Sequence, residues 1–493
     1  MSLHYYPSTY SAEAVDIGIV HIGLGAFVRA HIAVYLEKLL QLDPGPWGIC
    51  AANIRSNQKI VDALNEQNAV YTVAEYASQD QVALRQIRSV REVLFAGHGK
   101  IETLLQRMTH PKTKIVSLTV TEKGYFFDAA KQQLRLDAAQ IQQDLLCPDT
   151  AQTAPGILLA ALRQHYLQGS TPFTVLSCDN MPHNGQVLRN TVIQMAQQSD
   201  TELAQWISEN VSFPSTMVDR IAPAVTEKTV DNINALLQKT KVQICDQAPI
   251  ATERFSQWVI EDHFPNGRPA LEKVGVLLVD EVAPWEEMKL RLLNGSHSLL
   301  AYIGYLLGYA TVDQCMQDAQ LKQLIKSYMQ EEAVPTLNMP SDVDLGDYIQ
   351  QLLTRFSNDS LQHKTLQIAM DGSQKLPQRW CAGSLALLQK NNSPNVVALG
   401  FAAWIFFLRG GQDTAEQHTI DDPLADSLHA LAMEQNSATD KVRALFNLPL
   451  FSQFSFNQYA EFTQAVAQHY QCIATQGMAQ ALTKCLSNKT VRV

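Results

Sequence analysis

The sequence predicts an α/β domain over residues 1–285 followed by a mostly α-helical domain over residues 286–493. Three observations predict this. Short β-branched runs alternate with helical patterns through the first half, the pattern of a mostly parallel sheet covered on both faces. One of these runs leads directly into a Gly-x-Gly turn and a helix. Beyond about residue 285 the strand signals almost vanish and helical periodicity takes over.

Taken in order, Asp16 to Ile22 (DIGIVHI) reads as a strand and Arg29 to Leu40 as an amphipathic helix. Trp47 to Ile54 reads as a second strand after a Pro/Gly turn at Asp43 to Pro46. Lys114 to Val120, Phe173 to Ser177 and Val274 to Val279 read as further buried strands. Helical periodicity then covers Trp285 to Tyr309, Leu321 to Met329, Leu345 to Phe356, Val396 to Leu408 and Ala460 to Ala474. There is no solenoid-type repeat and no long low-complexity linker.

Composition narrows the function classes. With 46% hydrophobic and 17% charged residues, the 493-residue chain has ample material for cores, which excludes a disordered chain. The balance of 38 Lys and Arg against 48 Asp and Glu gives a net charge of −10, against sequence-independent nucleic-acid binding. The eight cysteines are scattered without a CxxC pair or a Cys/His cluster at zinc spacing, so no metal site is expected. No secretory pattern opens the chain. The longest apolar run, Val396 to Leu408, is about 13 residues, short of the roughly 18 that span a bilayer. A reduced, cytoplasmic protein without a membrane or nucleic-acid partner is expected.

Ile19 to Arg29 reads IVHIGLGAFVR. Glycines at 23 and 25 let a backbone approach a pyrophosphate, and the helix that follows offers free N–H groups. The third glycine of the Rossmann-type GxGxxG pattern is replaced by Val28, so an ordinary tight strand–helix turn stands as the alternative. Strand two ends in Asn53-Ile54-Arg55-Ser56-Asn57-Gln58-Lys59, without the carboxylate that grips ribose hydroxyls. Arg55, Ser56 and Lys59 would tolerate a 2′-phosphate, which leaves NAD and NADP both open. Gly97-His98-Gly99-Lys100 is not a phosphate loop, since Ile101 replaces the Ser/Thr, and Gly295-Ser296-His297-Ser298 lacks the GxSxG frame.

The stretch Glu286 to His297 (EEMKLRLLNGSH) leads into a strongly apolar helix. At about 100° per residue from Lys289, Glu286 falls near 60°, His297 near 80° and Asn294 near 140°. An acid, an amine, an imidazole and an amide thus share one side of a helix and would project into a cleft. A solvated face with incidental ion pairs is the alternative. Gly295, costly inside a helix by roughly 1 kcal/mol, calls for a close-packing or ligand reason.

Six ordered motifs then identify a resemblance. IGLGAFVRAH, SLTVTEKGY at Ser117 to Tyr125, SCDNMPHNG at Ser177 to Gly185, FPSTMVDRIAP at Phe213 to Pro223, QWVIEDHFPNGRPALEKVGV and PWEEMKLRLLNGSH together resemble the mannitol dehydrogenase family of polyol-specific long-chain dehydrogenases. The resemblance runs nearly end to end. It implies an N-terminal Rossmann-type dinucleotide-binding domain, a mostly α-helical C-terminal substrate domain, and metal-independent catalysis with a lysine as base. Carried over by residue, it makes Lys289 the general base, Asn294 and Asn180 the oxyanion amides, and Glu286 a proton route to solvent. It makes His297 and Asp219 substrate contacts. Gly23, Gly25, Ala26, Phe27, Arg29, Arg55, Thr121 and Lys123 are the positions expected at the cofactor, NAD, with NADP not excluded.

The chain departs from the family pattern at Val28, Ile32, Gln58 and Gln367. Ile368 to Arg379 (IAMDGSQKLPQR) looks more like the hexuronate branch, acting on D-mannonate and D-fructuronate, and makes Lys375 and Arg379 candidates for a substrate carboxylate. Surface charges on a loop are the alternative for both. The expected partner is therefore a small sugar acid or polyol. D-mannonate/D-fructuronate is favoured, and mannitol/fructose, tagaturonate and D-arabinitol are alternatives. A nucleotide-binding sensor without turnover is the rival from another class. Nothing in the sequence encodes an oligomeric state, and a monomer is compatible with the resemblance.

Overall fold

Small and β-branched residues fill the core strands of the first half. Gly48–Asn53, Ile115–Leu118 and Thr174–Ser177 are buried at every position, as strands covered on both faces must be. These strands come from a computed structural model, which describes residues 2–128, 131–242, 244–360, 362–411, 418–434 and 436–487. The chain divides into two compact units, Met1–Ala283 and Pro284–Val493.

In the first unit a five-stranded, all-parallel sheet has the spatial order Thr174–Ser177, Ile115–Leu118, Ile17–Ile22, Gly48–Asn53, Val90–Phe95. The chain works outward from Ile17–Ile22 to Val90–Phe95, then returns to the other side at Ile115–Leu118. That reversal makes a crevice at the carboxyl ends of the two central strands, the dinucleotide position of a Rossmann-type sheet. The predicted α/β fold class is present.

Two predicted elements are interrupted. The helix expected over Arg29 to Leu40 is two helices, Ala26–Ala30 and Ile32–Leu42, broken at His31 (φ −118°, ψ −77°). The His31 ring stacks on Phe27 at 4.8 Å and its Nε2 lies 3.0 Å from the carbonyl of Gln257, which holds the break. The strand expected over Val274 to Val279 is reduced to Leu277–Val279, because Gly275 turns the chain at φ +90°.

A second sheet, in the order Ser2–Tyr6, Gln81–Ile87, Tyr71–Ser78, Ile250–Glu253, was not expected from the sequence. Ala74, Val82 and Leu84 on one side of it pack on Ile233 and Leu237 of helix Glu227–Lys239. A three-stranded sheet joins Thr216–Asp219, Gln257–Glu261 and Leu277–Val279.

The second unit has no named strand among its described residues. Gly295–Leu306 and Asn395–Phe407 are its most deeply buried helices. The latter absorbs the long apolar run, and among the described residues no helix is long and apolar enough to cross a membrane. Three stretches widen from α to π geometry, with i→i+5 hydrogen bonding: Lys289–Asn294, Tyr328–Ala333 and Pro377–Cys381.

Candidate active site

The glycine turn sits at the carboxyl edge of the parallel sheet. Gly23 adopts φ +108°, and a Cβ there would run into the carbonyl of Thr119. Only glycine fits such a position without strain. A Cβ on Gly25 would meet nothing nearer than the Gly23 carbonyl at 3.9 Å, so that backbone is open to a close-lying ligand. Asn53, at the end of its strand, accepts from the Leu24 N–H at 2.8 Å and fixes the turn. Val28, in place of the third glycine, is wholly buried in the core beneath.

Gly23, Gly25, Ala26 and Phe27 are partly exposed, and Arg55, Thr121 and Lys123 are exposed at the ends of neighbouring strands. An open glycine turn with unburied cations at the switch point fits the two phosphates of a dinucleotide. Arg29 departs from this set. It is buried, with Nε donating to the Gly25 carbonyl at 3.2 Å and Nη1 to that of Ala248 at 2.8 Å. Its donors brace the turn from below, a correction to its expected place at the cofactor.

Sequence reasoning singled out the TVTEKGY and SCDN motifs without the residue that joins them. Asp179 accepts from the N–H groups of Val120 (3.0 Å) and Thr121 (2.8 Å) and from the Tyr125 hydroxyl (2.6 Å). Burial pushes the Asp179 pKa up, while these hydrogen bonds oppose the shift. The clasp holds Thr121 at φ +66°, a strained conformation for a β-branched residue. No local signal marked this role, because the N–H groups that Asp179 accepts from lie 59 and 58 residues away along the chain. Asn180 follows directly and is exposed. Asp219 ends its strand opposite Gln257 and is buried.

In the second unit the expected polar helix changes geometry at the residues of interest. Helix Ala283–Met288 carries the half-exposed Glu286, and Lys289 and Asn294 are the first and last residues of a π segment. Its i→i+5 bonding is explicit where the Gly295 N–H donates to the Leu290 carbonyl. An α-helix would set Asn294 about 140° from Lys289. The wider π turn rotates less per residue, so five residues come close to one full turn and the two side chains project to a common side. This corrects the angular reading from sequence.

The π segment is held by donors from the other two. The Tyr328 hydroxyl donates to the Arg291 carbonyl at 2.9 Å, Arg379 Nη1 to that of Asn294 at 3.3 Å, and Trp380 Nε1 to that of Gly295 at 3.0 Å. These carbonyls lie where the change of register disturbs the α-helical ladder. Gly295 is required because Tyr328 occupies the space of a Cβ.

Lys289 is 8% exposed, and His297, also 8% exposed, packs its ring 4.7 Å from Phe356 and 5.5 Å from His363. Burial drives the His297 pKa well below its usual value, with His363, Arg379 and Arg355 pushing the same way, so the imidazole is neutral. The Asn294 side-chain amide has no protein hydrogen-bond partner among the described residues. Lys375 and Arg379 are half-buried rather than loop-surface charges. Lys375 Nζ donates to the carbonyls of Met370 (2.6 Å) and Ile368 (3.4 Å), and Arg379 also reaches the Ser298 hydroxyl at 2.9 Å. Burial lowers the Arg379 pKa to about 10. Among the described residues no group of three or more His, Cys, Asp or Glu is arranged to hold a metal ion.

Comparison with known proteins adds an independent line. The family model for the mannitol dehydrogenase Rossmann domain matches residues 17–273, and that for the mannitol dehydrogenase C-terminal domain matches residues 281–474. D-mannonate oxidoreductase of Escherichia coli is 42% identical over 476 residues, 96% of each chain. Mannitol 2-dehydrogenase of Phaeosphaeria nodorum is 39% identical over 443 residues, 89% of this chain and 77% of that one. The solved ternary complex of Pseudomonas fluorescens mannitol 2-dehydrogenase with NAD and D-mannitol is 34% identical, with a TM-score of 0.83 over 98% of this chain and 97% of that one.

Proposed function

This chain belongs to the mannitol dehydrogenase family, and on that premise we propose that it is an NAD(P)-dependent oxidoreductase. It interconverts a secondary alcohol of a sugar acid or polyol with the corresponding ketone, and D-mannonate/D-fructuronate is the favoured pair. The observation that carries this reading is the π turn with Lys289 at one end and Asn294 at the other, beside a neutral, buried His297.

The nicotinamide, when bound, accepts or returns the hydride. Lys289 takes the hydroxyl proton in the oxidising direction and returns it in the reducing one. Its burial supports that role, because a dry lysine loses its proton more readily than one in water. Asn294 donates its unpartnered amide N–H to the alkoxide oxygen, and Asn180 is assigned the second such donation. Neutral amides suit an oxygen that alternates between charged and uncharged forms. His297, kept uncharged by burial, both accepts from and donates to substrate hydroxyls, with Asp219 a further hydroxyl contact. Glu286, half-exposed one helical turn before Lys289, passes the proton to solvent.

The acidic substrate is favoured by the cations Arg355 and Arg379, which bear electrostatically on His297, and by Lys375, which bears on His363. The second reading, a neutral polyol such as mannitol, draws on the backbone carbonyls that already occupy Lys375 and Arg379. One plate decides between them: NADH and NADPH consumption against D-fructuronate, D-tagaturonate, D-fructose and D-xylulose. Preferred turnover of D-fructuronate is expected, and a preference for D-fructose would install the polyol reading. Cofactor binding without turnover on any ketose or keto acid would leave a nucleotide sensor.

A further inference from the structure

The second sheet of the first unit has a polar side with no part in the chemistry above. Register places Ser2, His4 and Tyr6 opposite Gln81, Ala83 and Arg85, and Ala83 opposite Glu75. These side chains point to one side of the sheet, away from the apolar side that packs on helix Glu227–Lys239. Lys38, from helix Ile32–Leu42, and Arg254, just beyond strand Ile250–Glu253, complete a pocket of about 410 Å³. The small side chains of Ala77 and Ala83 leave the space open.

The charges in this pocket do not balance. Its carboxylate, Glu75, is already paired on both oxygens, with Arg220 Nη2 at 2.7 Å and Arg85 Nη2 at 3.3 Å. Arg220 is fully buried behind it and also donates to the carbonyls of Ala30 and Glu253. Lys38 and Arg254 have no hydrogen-bonding or ion-pair partner for their charged groups among the described residues. The Arg85 Nε is buried and donates to nothing in the protein. Burial lowers the Lys38 pKa; Glu75 opposes that shift, while Arg85, Arg220 and Arg254 add to it. A chain with net charge −10 thus gathers unneutralised cations in one concavity.

We infer that this pocket binds a phosphate-bearing small molecule, its anion held by Lys38, Arg85 and Arg254. Two uncompensated cations and an orphaned guanidinium N–H match an oxyanion carrying more than one charge and several acceptor oxygens. The volume exceeds a bare phosphate and falls in the range of small-ligand sites, so a sugar-sized body accompanies the anion. Ser2, His4 and Gln81 line the pocket as further hydrogen-bonding groups for its hydroxyls. The inference does not depend on the oxidoreductase reading, since none of these residues belongs to the candidate active site.

Calorimetric titration of the full chain with inorganic phosphate and with glucose 6-phosphate, at matched ionic strength, tests it. Saturable one-to-one binding is expected, tighter for the sugar phosphate. Equal affinities would identify the bare anion as the ligand and support the site all the same. Lys38→Met and Arg254→Gln should each weaken binding at least about tenfold, as expected when a charge-assisted hydrogen bond is lost. Lys38→Arg should retain it, and Arg55→Gln, at the other phosphate-facing edge, should leave it unchanged. Arg254 is exposed, so its variant separates lost binding from lost folding. Absence of saturable binding by both probes, or undiminished affinity in both Lys38→Met and Arg254→Gln, overturns the inference.

Discussion

The hydroxyl of Tyr328 occupies the space that a side chain on Gly295 would need, and from there it donates to the carbonyl of Arg291 at 2.9 Å. One tyrosine thus explains a helix-interior glycine and fixes the register of the turn between Lys289 and Asn294. Tyr328→Phe leaves a part-buried carbonyl without its donor and should cost about 1 kcal/mol. Gly295→Ala overpacks the same spot at a similar cost. The double variant should lose clearly less than the sum, because removing the hydroxyl makes room for the methyl group. Urea unfolding of the four proteins checks this, and strict additivity would refute the steric link.

Lys289→Ala should lower turnover by several orders of magnitude while NADH still binds, as followed by cofactor fluorescence. Turnover near that of the unaltered protein would remove the lysine from the chemistry.

Asn294→Ala and Asn180→Ala should each cut kcat by about 10²–10³, the usual loss for one oxyanion donor, with little change in cofactor affinity. A variant that binds NADH poorly but turns over normally would show that its amide serves the cofactor instead.

Arg55 is exposed at the end of the second Rossmann strand with no carboxylate nearby in sequence. Arg55→Asp should raise the KM for NADPH at least about tenfold relative to NADH, since a lost contact to a charged group is worth about that much. Unchanged selectivity would mean that another residue reads the 2′ position.

Two buried histidines set a pH dependence of stability. Burial brings His21 down to about 3 and His469 down to about 4, whereas an unfolded histidine titrates near 6.5. Below pH 6.5 the unfolded chain therefore binds protons that the folded chain refuses. Stability is fully present above that pH and falls as pH drops toward the folded values, by up to about 1.4 kcal/mol per pH unit for each histidine. His469→Gln should flatten the decline of Tm between pH 6.5 and 4 by one histidine's share. An unaltered slope would exclude His469 as a contributor.

Four strands of the parallel sheet were legible in sequence because they are largely apolar runs, whereas its edge strand Val90–Phe95, interrupted by Arg91 and Glu92, was not. The helix Leu345–Phe356 was legible because its amphipathic stripe is strong. The second sheet was missed. Its strands carry Glu75, Arg85 and His4 on the polar side, so none of them is the continuous apolar run by which the buried strands were read. In the candidate site the residue types were legible and the backbone was not. No local signal announces a π segment when the groups that satisfy its disturbed carbonyls, Tyr328, Arg379 and Trp380, lie far along the chain. The same holds for Asp179, whose acceptor role appears only once Val120 and Thr121 are beside it.

A π turn amounts to one residue added to an α-helix. Here two such additions supply the donors that hold a third, through Tyr328, Arg379 and Trp380. Deleting a single residue from Lys289–Asn294 would straighten that helix and leave Tyr328, Arg379 and Trp380 reaching for carbonyls that had rotated away. Natural variation should therefore keep or discard the Lys289–Asn294 turn together with the two segments that brace it.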